Sequence, residues 1–359
     1  MRTPGGGGRG RAWLGSLALA LAATGLALLA GELGLRLRGP APPPAPRPAP
    51  PAELRDLPEL KRLYDLRRPN ARGVFKGVLH RTNSRGVRGP EFTPEPAPGV
   101  FRMVVLGDSY TMGQGVPEEQ AYPVVAARLL EQRGPPRRVE AVNLGVSGLA
   151  IRHSVKRLRK VGLGYRPHLV VYGFTPNDIM GPDWVEPSAE TKRASEALRR
   201  RFDDSPSLLL RTIWPRLVML RSALWPLPGT YEHTLEENYF RNPAAVRQLH
   251  EGLDELARLS REAGVCGHVF VHTRMNQLWI HPFTRIYRLV AESARERGLG
   301  ATVSHPHFRG RDVDALRHSV ADTHPNAAGH RLHAEALVEG LSGLAPHCWR
   351  PGHYVPPDA

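Results

Sequence analysis

Phe101-Arg-Met-Val-Val-Leu-Gly107-Asp108-Ser109 is an apolar run that stops abruptly at a glycine, an acid and a hydroxyl. The run reads as a buried strand, and the Gly-Asp-Ser stop reads as the tight turn leaving its carboxyl end. In open α/β sheets that end faces the ligand crevice. Taken alone, Ser109 is as well explained by a helix cap as by chemistry. The rest of the chain has to decide between the two.

From about residue 100, strand-like and helix-like segments alternate. Strands are expected at 102–106, 138–143, 168–174, 265–272 and 300–304, and helices at 120–133, 153–161, 244–263, 282–297 and 327–341. This rhythm predicts an α/β chain with a flavodoxin-like three-layer fold, built on a five-stranded, mostly parallel sheet covered on both faces. Residues 180–243 break the rhythm and carry Trp184, Trp214 and Trp225 among Arg, Leu and Pro. So long a stretch after the third strand reads as an insertion that caps or shapes the site, with an amphipathic helix near 191–202. Residues 52–99 read as a lead-in in which Asn83-Ser-Arg-Gly-Val-Arg-Gly89 forms a packed turn. The main domain is expected over 100–342, with 343–359 as a tail.

The N-terminus has its own pattern. Residues 1–11 are basic through Arg2, Arg9 and Arg11, and 12–31 carry no charge and are mainly Leu, Ala and Gly. Twenty such residues just span a hydrocarbon core of roughly 30 Å, which predicts an N-terminal transmembrane helix. An uncleaved anchor is the preferred reading over a cleaved signal, and with either one the bulk of the chain is expected on the exported side, periplasmic or extracellular. Residues 32–51 form a linker. Its Pro/Ala tract from Pro40 to Pro51 reads as a polyproline II spacer of roughly 35–40 Å at about 3.1 Å per residue.

The formal charge is +15, yet only five of the 49 basic residues are lysine. No basic run is interleaved with aromatics and no helix-turn-helix or zinc-finger spacing is present, so nucleic acid is not an expected partner. Cys266 and Cys348 are the two cysteines. An oxidising compartment would allow them to pair, and the sequence leaves that open.

Acyl transfer from an ester needs a nucleophile, a base and donors for the oxyanion. Ser109 is the candidate nucleophile, although it does not sit in a G-x-S-x-G elbow. His324, just before the final helix, is the candidate base, and Asp322 would orient its imidazole. The oxyanion donors would be the backbone N–H groups of Ser109 and Gly148 and the side-chain amide of Asn177. His330 and His333 lie three apart without a third ligand and read as a solvated face or packing histidines, so no metal and no organic cofactor is expected. Asp108 and Asp178 are expected to hold loops through backbone N–H groups.

Four blocks resemble those of the SGNH hydrolases, the GDSL-type lipases and esterases. They are Gly107-Asp-Ser109, Val142-Asn-Leu-Gly-Val-Ser-Gly148, Gly173-Phe-Thr-Pro-Asn177-Asp178 and Asp322-Thr-His324-Pro-Asn-Ala-Ala-Gly329-His330. The resemblance covers about residues 80–342, with the blocks in the family's order, and Arg-Gly-Pro90 resembles a turn seen ahead of bacterial members. Tyr110 replaces the leucine of the name motif. The last block is one residue shorter than the common Asp-x-x-His, a form shared by many relatives with His-Pro-Asn. The resemblance implies an exported serine esterase acting on acyl esters, acetyl or short-chain, through an acyl-enzyme. Its substrate would be a small molecule or an acylated glycan or lipid, and the N-terminal helix would hold it to the membrane. Acyl transfer onto an envelope glycan, or a silent glycan-binding module of the same fold, are the alternatives. Oligomeric state is left open.

Overall fold

The computed structural model describes residues 7–39, 68–134, 138–224, 228–275, 281–319 and 322–349. In chain order the elements are α1 (Gly7–Arg38), β1 (Arg72–Phe75), β2 (Val78–Arg81), β3 (Val100–Gly107), α2 (Ser109–Met112), α3 (Tyr122–Arg133), β4 (Arg138–Asn143), α4 (Ile151–Arg157) and β5 (Leu169–Phe174). Then follow α5 (Ala189–Asp203), α6 (Leu208–Leu224), α7 (Tyr231–Phe240), α8 (Pro243–Glu262), β6 (Cys266–Val271), α9 (Thr284–Arg295), β7 (Gly300–Val303), α10 (His305–Phe308) and α11 (Ala327–Leu341). They divide into two compact units.

The larger unit carries the sheet, in the order β4-β3-β5-β6-β7 with every pairing parallel. Counted along the chain this is 2-1-3-4-5, the flavodoxin-like order, and its switch point lies between β3 and β5. All eight residues of β3 and all six of β5 are buried, as strands covered on both faces must be. Alternate side chains of β3 feed opposite layers. Val104 and Leu106 join the core beneath α4, α8 and α9, while Phe101, Met103 and Val105 join the core beneath α3 and α11. Arg102 departs from this pattern and is also buried. Its guanidinium meets Glu140 at 2.7 Å and donates to the carbonyls of Thr93 and Tyr165.

Observed elements start or stop within a few residues of the expected ones. One differs in kind: the expected helix 153–161 begins at Ile151 and unwinds into a π-turn over Leu158–Gly162. Cys266, opening β6, is disulfide-bonded to Cys348 in the short turn Pro346–Trp349, with 5.6 Å between their Cα atoms. Cys266 thus ties the tail to the sheet. His330 and His333 of α11 are fully buried, which removes the solvated-face reading and leaves packing.

Ahead of the sheet, β1 and β2 form an antiparallel hairpin with Phe75 opposite Val78. Its two-residue turn, Lys76-Gly77, has φ of 53° and 75°. Two positive φ values suit the right-handed twist of a tight hairpin. Glycine takes that conformation freely, whereas lysine does so at some cost.

The smaller unit contains α1 and residues 187–230. α1 is longer than the expected span of 12–31, and Leu19–Arg38 is long and apolar enough to cross a membrane. Near its end, the Glu32 carboxylate accepts from the N–H groups of Leu208 (3.1 Å) and Leu209 (2.8 Å) and so caps α6. α5 covers the expected amphipathic segment. The inserted stretch is divided, because 180–186 and 231–243 fold with the sheet unit. The Pro40–Pro51 spacer and Trp225 lie outside the described residues.

Candidate active site

Ser109 is the first residue of α2, directly beyond the carboxyl end of β3. Asp108 caps that helix, its Oδ1 accepting from Tyr110 N at 2.9 Å. The turn into α2 requires Gly107, whose φ is 149°, and a Cβ there would lie 2.2 Å from Thr111 Oγ1. Gly145 meets the same helix from the β4 loop, where a Cβ would come within 2.3 Å of Met112 N. At the first position of a helix, the Ser109 N–H has no intrahelical acceptor.

The polar order at the site runs from hydroxyl to imidazole to carboxylate. Ser109 Oγ lies 2.9 Å from His324 Nε2, and His324 Nδ1 lies 2.7 Å from Asp322 Oδ1. A proton on Nδ1 donated to Asp322 leaves Nε2 free to accept the serine proton. His324 O accepts from His318 N at 3.1 Å, and Thr323 O accepts from the buried Tyr110 hydroxyl at 2.9 Å. These bonds fix the segment that carries both groups. Residues far apart in the chain, predicted to meet, are therefore together.

Asn177, past the end of β5, lies on the other side of Asp108. Its Nδ2 donates to Asp108 Oδ2 at 3.1 Å, and its Oδ1 accepts from the Tyr231 hydroxyl at 3.4 Å. One amide N–H remains for another acceptor. Gly148 sits in the loop after β4 with φ 71°. That loop is joined to the segment after α2 by Ser147 Oγ donating to Gln114 Oε1 at 3.1 Å. Asp178, fully buried, accepts from Thr175 N (3.1 Å) and the Tyr172 hydroxyl (2.6 Å). Burial first, then the neighbouring Asp108 charge, pushes its carboxyl well above the usual range. Both aspartates hold loops, as expected from the sequence.

Several contributors were not foreseen. Lys76, at the hairpin tip, pairs with Asp322 Oδ2. Burial alone would raise the Asp322 carboxyl, but the bonds from His324 and Lys76 outweigh it and hold the group well below the ordinary carboxylate value. Arg88 is buried beneath α2 and donates to the carbonyls of Met112, Gly113 (2.8 Å) and Val116 (2.7 Å). The lead-in therefore grips both the helix that begins at Ser109 and the Asp322 carboxylate. Arg274 and Tyr231 flank Asn177. The Lys76-Gly77 pair between strand-like runs was the one sequence signal available for the hairpin, and nothing local marked its partner.

Residues 105–332 match the model of the GDSL-like lipase/acylhydrolase family. The chain belongs to that family, whose members act on acyl esters. It is similar to LAE5, an alpha/beta hydrolase enzyme from the metagenome of Lake Arreo, Spain, at 18% identity over 70% of this chain and 97% of that one, with a TM-score of 0.41. Axe2, an acetylxylan esterase from Geobacillus stearothermophilus, is similar at 17% identity over 70% and 97%, TM-score 0.40. TesA is similar at 16% identity over 67% and 97%, TM-score 0.37. No curated protein matches the sequence.

Proposed function

We propose that this chain is an exported, membrane-anchored serine ester hydrolase in which Ser109 is the nucleophile. The observation that carries the reading is the unbroken series from Ser109 Oγ through His324 to Asp322, at 2.9 and 2.7 Å. His324 Nε2 takes the hydroxyl proton as Oγ attacks the ester carbonyl, and Asp322 stabilises the imidazolium. The oxyanion is received by the N–H groups of Ser109 and Gly148 and the free N–H of Asn177. Collapse releases the alcohol, protonated by His324, and leaves Ser109 acylated. Water activated by the same imidazole then frees the acid.

Acetyl or short-chain esters carried on glycans or lipids are the proposed substrates, and α1 would keep the enzyme at the membrane where such envelope polymers lie. The test is turnover of p-nitrophenyl acetate and butyrate by the full chain beside Ser109→Ala. Loss of the nucleophile is expected to lower kcat by about 10⁴-fold or more. Equal rates from the two proteins would remove the proposal.

A further inference from the structure

Arg274 follows β6 at the carboxyl edge of the sheet, and the backbone around it is held firmly. Its N–H donates to the Tyr287 hydroxyl at 2.9 Å, and its carbonyl is 2.9 Å from His281 Nε2. The guanidinium lies over the Tyr231 ring, 4.7 Å from the centroid. Nη1 donates to Asn177 Oδ1 (3.3 Å) and Tyr231 Oη (3.4 Å), and Nη2 donates to Thr323 Oγ1 (3.3 Å). All three acceptors are neutral, and all three bonds are long. Nε is buried with no acceptor. Among the described residues no carboxylate oxygen pairs with this cation, in a protein where most buried or half-buried arginines of the sheet unit have a partner acid or a set of carbonyls. The nearest acid along this chain of bonds is Asp108, which lies beyond Asn177 and already accepts from Tyr110 N, Thr175 Oγ1 and Asn177 Nδ2.

A half-buried guanidinium with donors to spare is under-satisfied, and its planar fork matches a carboxylate or phosphate. Its position is equally specific. Asn177 and Thr323 place it between the proposed oxyanion donor and the segment that carries Asp322 and His324. From these observations we infer that Arg274, backed by Tyr231, is a subsite for an anionic group on the ester substrate, one carrying a carboxylate or phosphate close to the scissile bond. This deepens the proposed function and rests on it for the identity of the ester. The anion-binding claim itself does not depend on turnover.

Two measurements on the full-length protein test it. The first compares kcat/KM for phenyl acetate, 4-acetoxybenzoate (carboxylate on the alcohol side) and monophenyl succinate (carboxylate on the acyl side) in wild type, Arg274→Gln and Arg274→Lys. The ratio of at least one anionic ester to phenyl acetate is expected to fall by about 10- to 100-fold in Arg274→Gln, with part of it restored by Arg274→Lys. Whichever ester responds identifies the side of the bond that carries the charge. The same fall for all three esters would overturn the subsite and leave Arg274 as a residue that merely orients Asn177. The second is a titration of Ser109→Ala with benzoate and inorganic phosphate, with and without Arg274→Gln. Weakening of either anion by about tenfold or more is expected. Equal affinities would contradict the inference even if no ester were turned over, whereas activity retained in Ser109→Ala would sink the esterase reading alone.

Discussion

The ammonium of Lys76 sits on Asp322 Oδ2, the carboxylate oxygen that His324 leaves free. Both side chains are largely withdrawn from solvent, at 22% and 14% exposure, so solvent screens the pair only in part. The hairpin that offers Lys76 precedes the sheet, and the acid it meets follows the last strand. A lysine held at φ 53° in a two-residue turn is a position where asparagine or glycine would be easier, which is consistent with a role for the ammonium itself.

Lys76→Met should therefore do more than loosen a loop. Without the ammonium, the Asp322 carboxylate loses one of the two side chains that hold its pKa low. The plateau of kcat/KM is expected to fall by roughly tenfold in Lys76→Met and to be largely restored in Lys76→Arg. A fall of the same size in Lys76→Arg would mean Lys76 acts only through packing.

Arg88→Met removes the donors that three buried carbonyls share at the end of the helix carrying Ser109. Burial pulls this guanidinium down to about 10, still charged at any working pH. Leaving those carbonyls unpaired should cost about 2–5 kcal/mol in urea unfolding and disturb the Ser109 turn. A loss below about 0.5 kcal/mol would show that water replaces the guanidinium without penalty.

Acid should destabilise the fold before it reaches the carboxylates. Burial holds His272 and His268 at about 4 and His281 at about 3, and it puts His330 and His333 well below the ordinary histidine value. Above about pH 6.5 neither the folded nor the unfolded chain binds these protons. Below it the unfolded chain takes them up and the folded chain does not, so stability falls as pH drops from about 6.5 toward 4. Each such histidine contributes a slope of about 1.4 kcal/mol per pH unit. His333 is packed against Phe308 at 4.5 Å and His272 at 4.9 Å, and neither of its ring nitrogens has a hydrogen-bond partner. His333→Phe is expected to shallow that slope and leave stability at pH 7 unchanged or raised. An unchanged slope would show that His333 titrates equally in both states.

What the sequence revealed, it revealed through local patterns. The β3 and β5 runs are apolar because both faces are covered, and Ser109, Asn177 and the Asp322–His324 pair stand at the ends of elements whose periodicity is readable. The grip of Lys76 and Arg88 was hidden because each acts on a group distant in the chain, and hairpin docking has no local signature. His330 and His333 look polar in a list of residues, yet they face a cluster of aromatic rings that only the packing of α11 reveals. Pairing of Cys266 with Cys348 needed the tail to return to the start of β6, which spacing alone cannot tell.

The proposed chemistry turns on activation of the Ser109 hydroxyl by His324. Fluorophosphonate labelling of the full-length protein, with the modified peptide identified by mass spectrometry, tests it most directly. A single adduct at Ser109, lost in Ser109→Ala and slowed at least about 100-fold in His324→Ala, is the expected result. Labelling that persists at the same rate without the imidazole, or an adduct on another residue, would contradict the account.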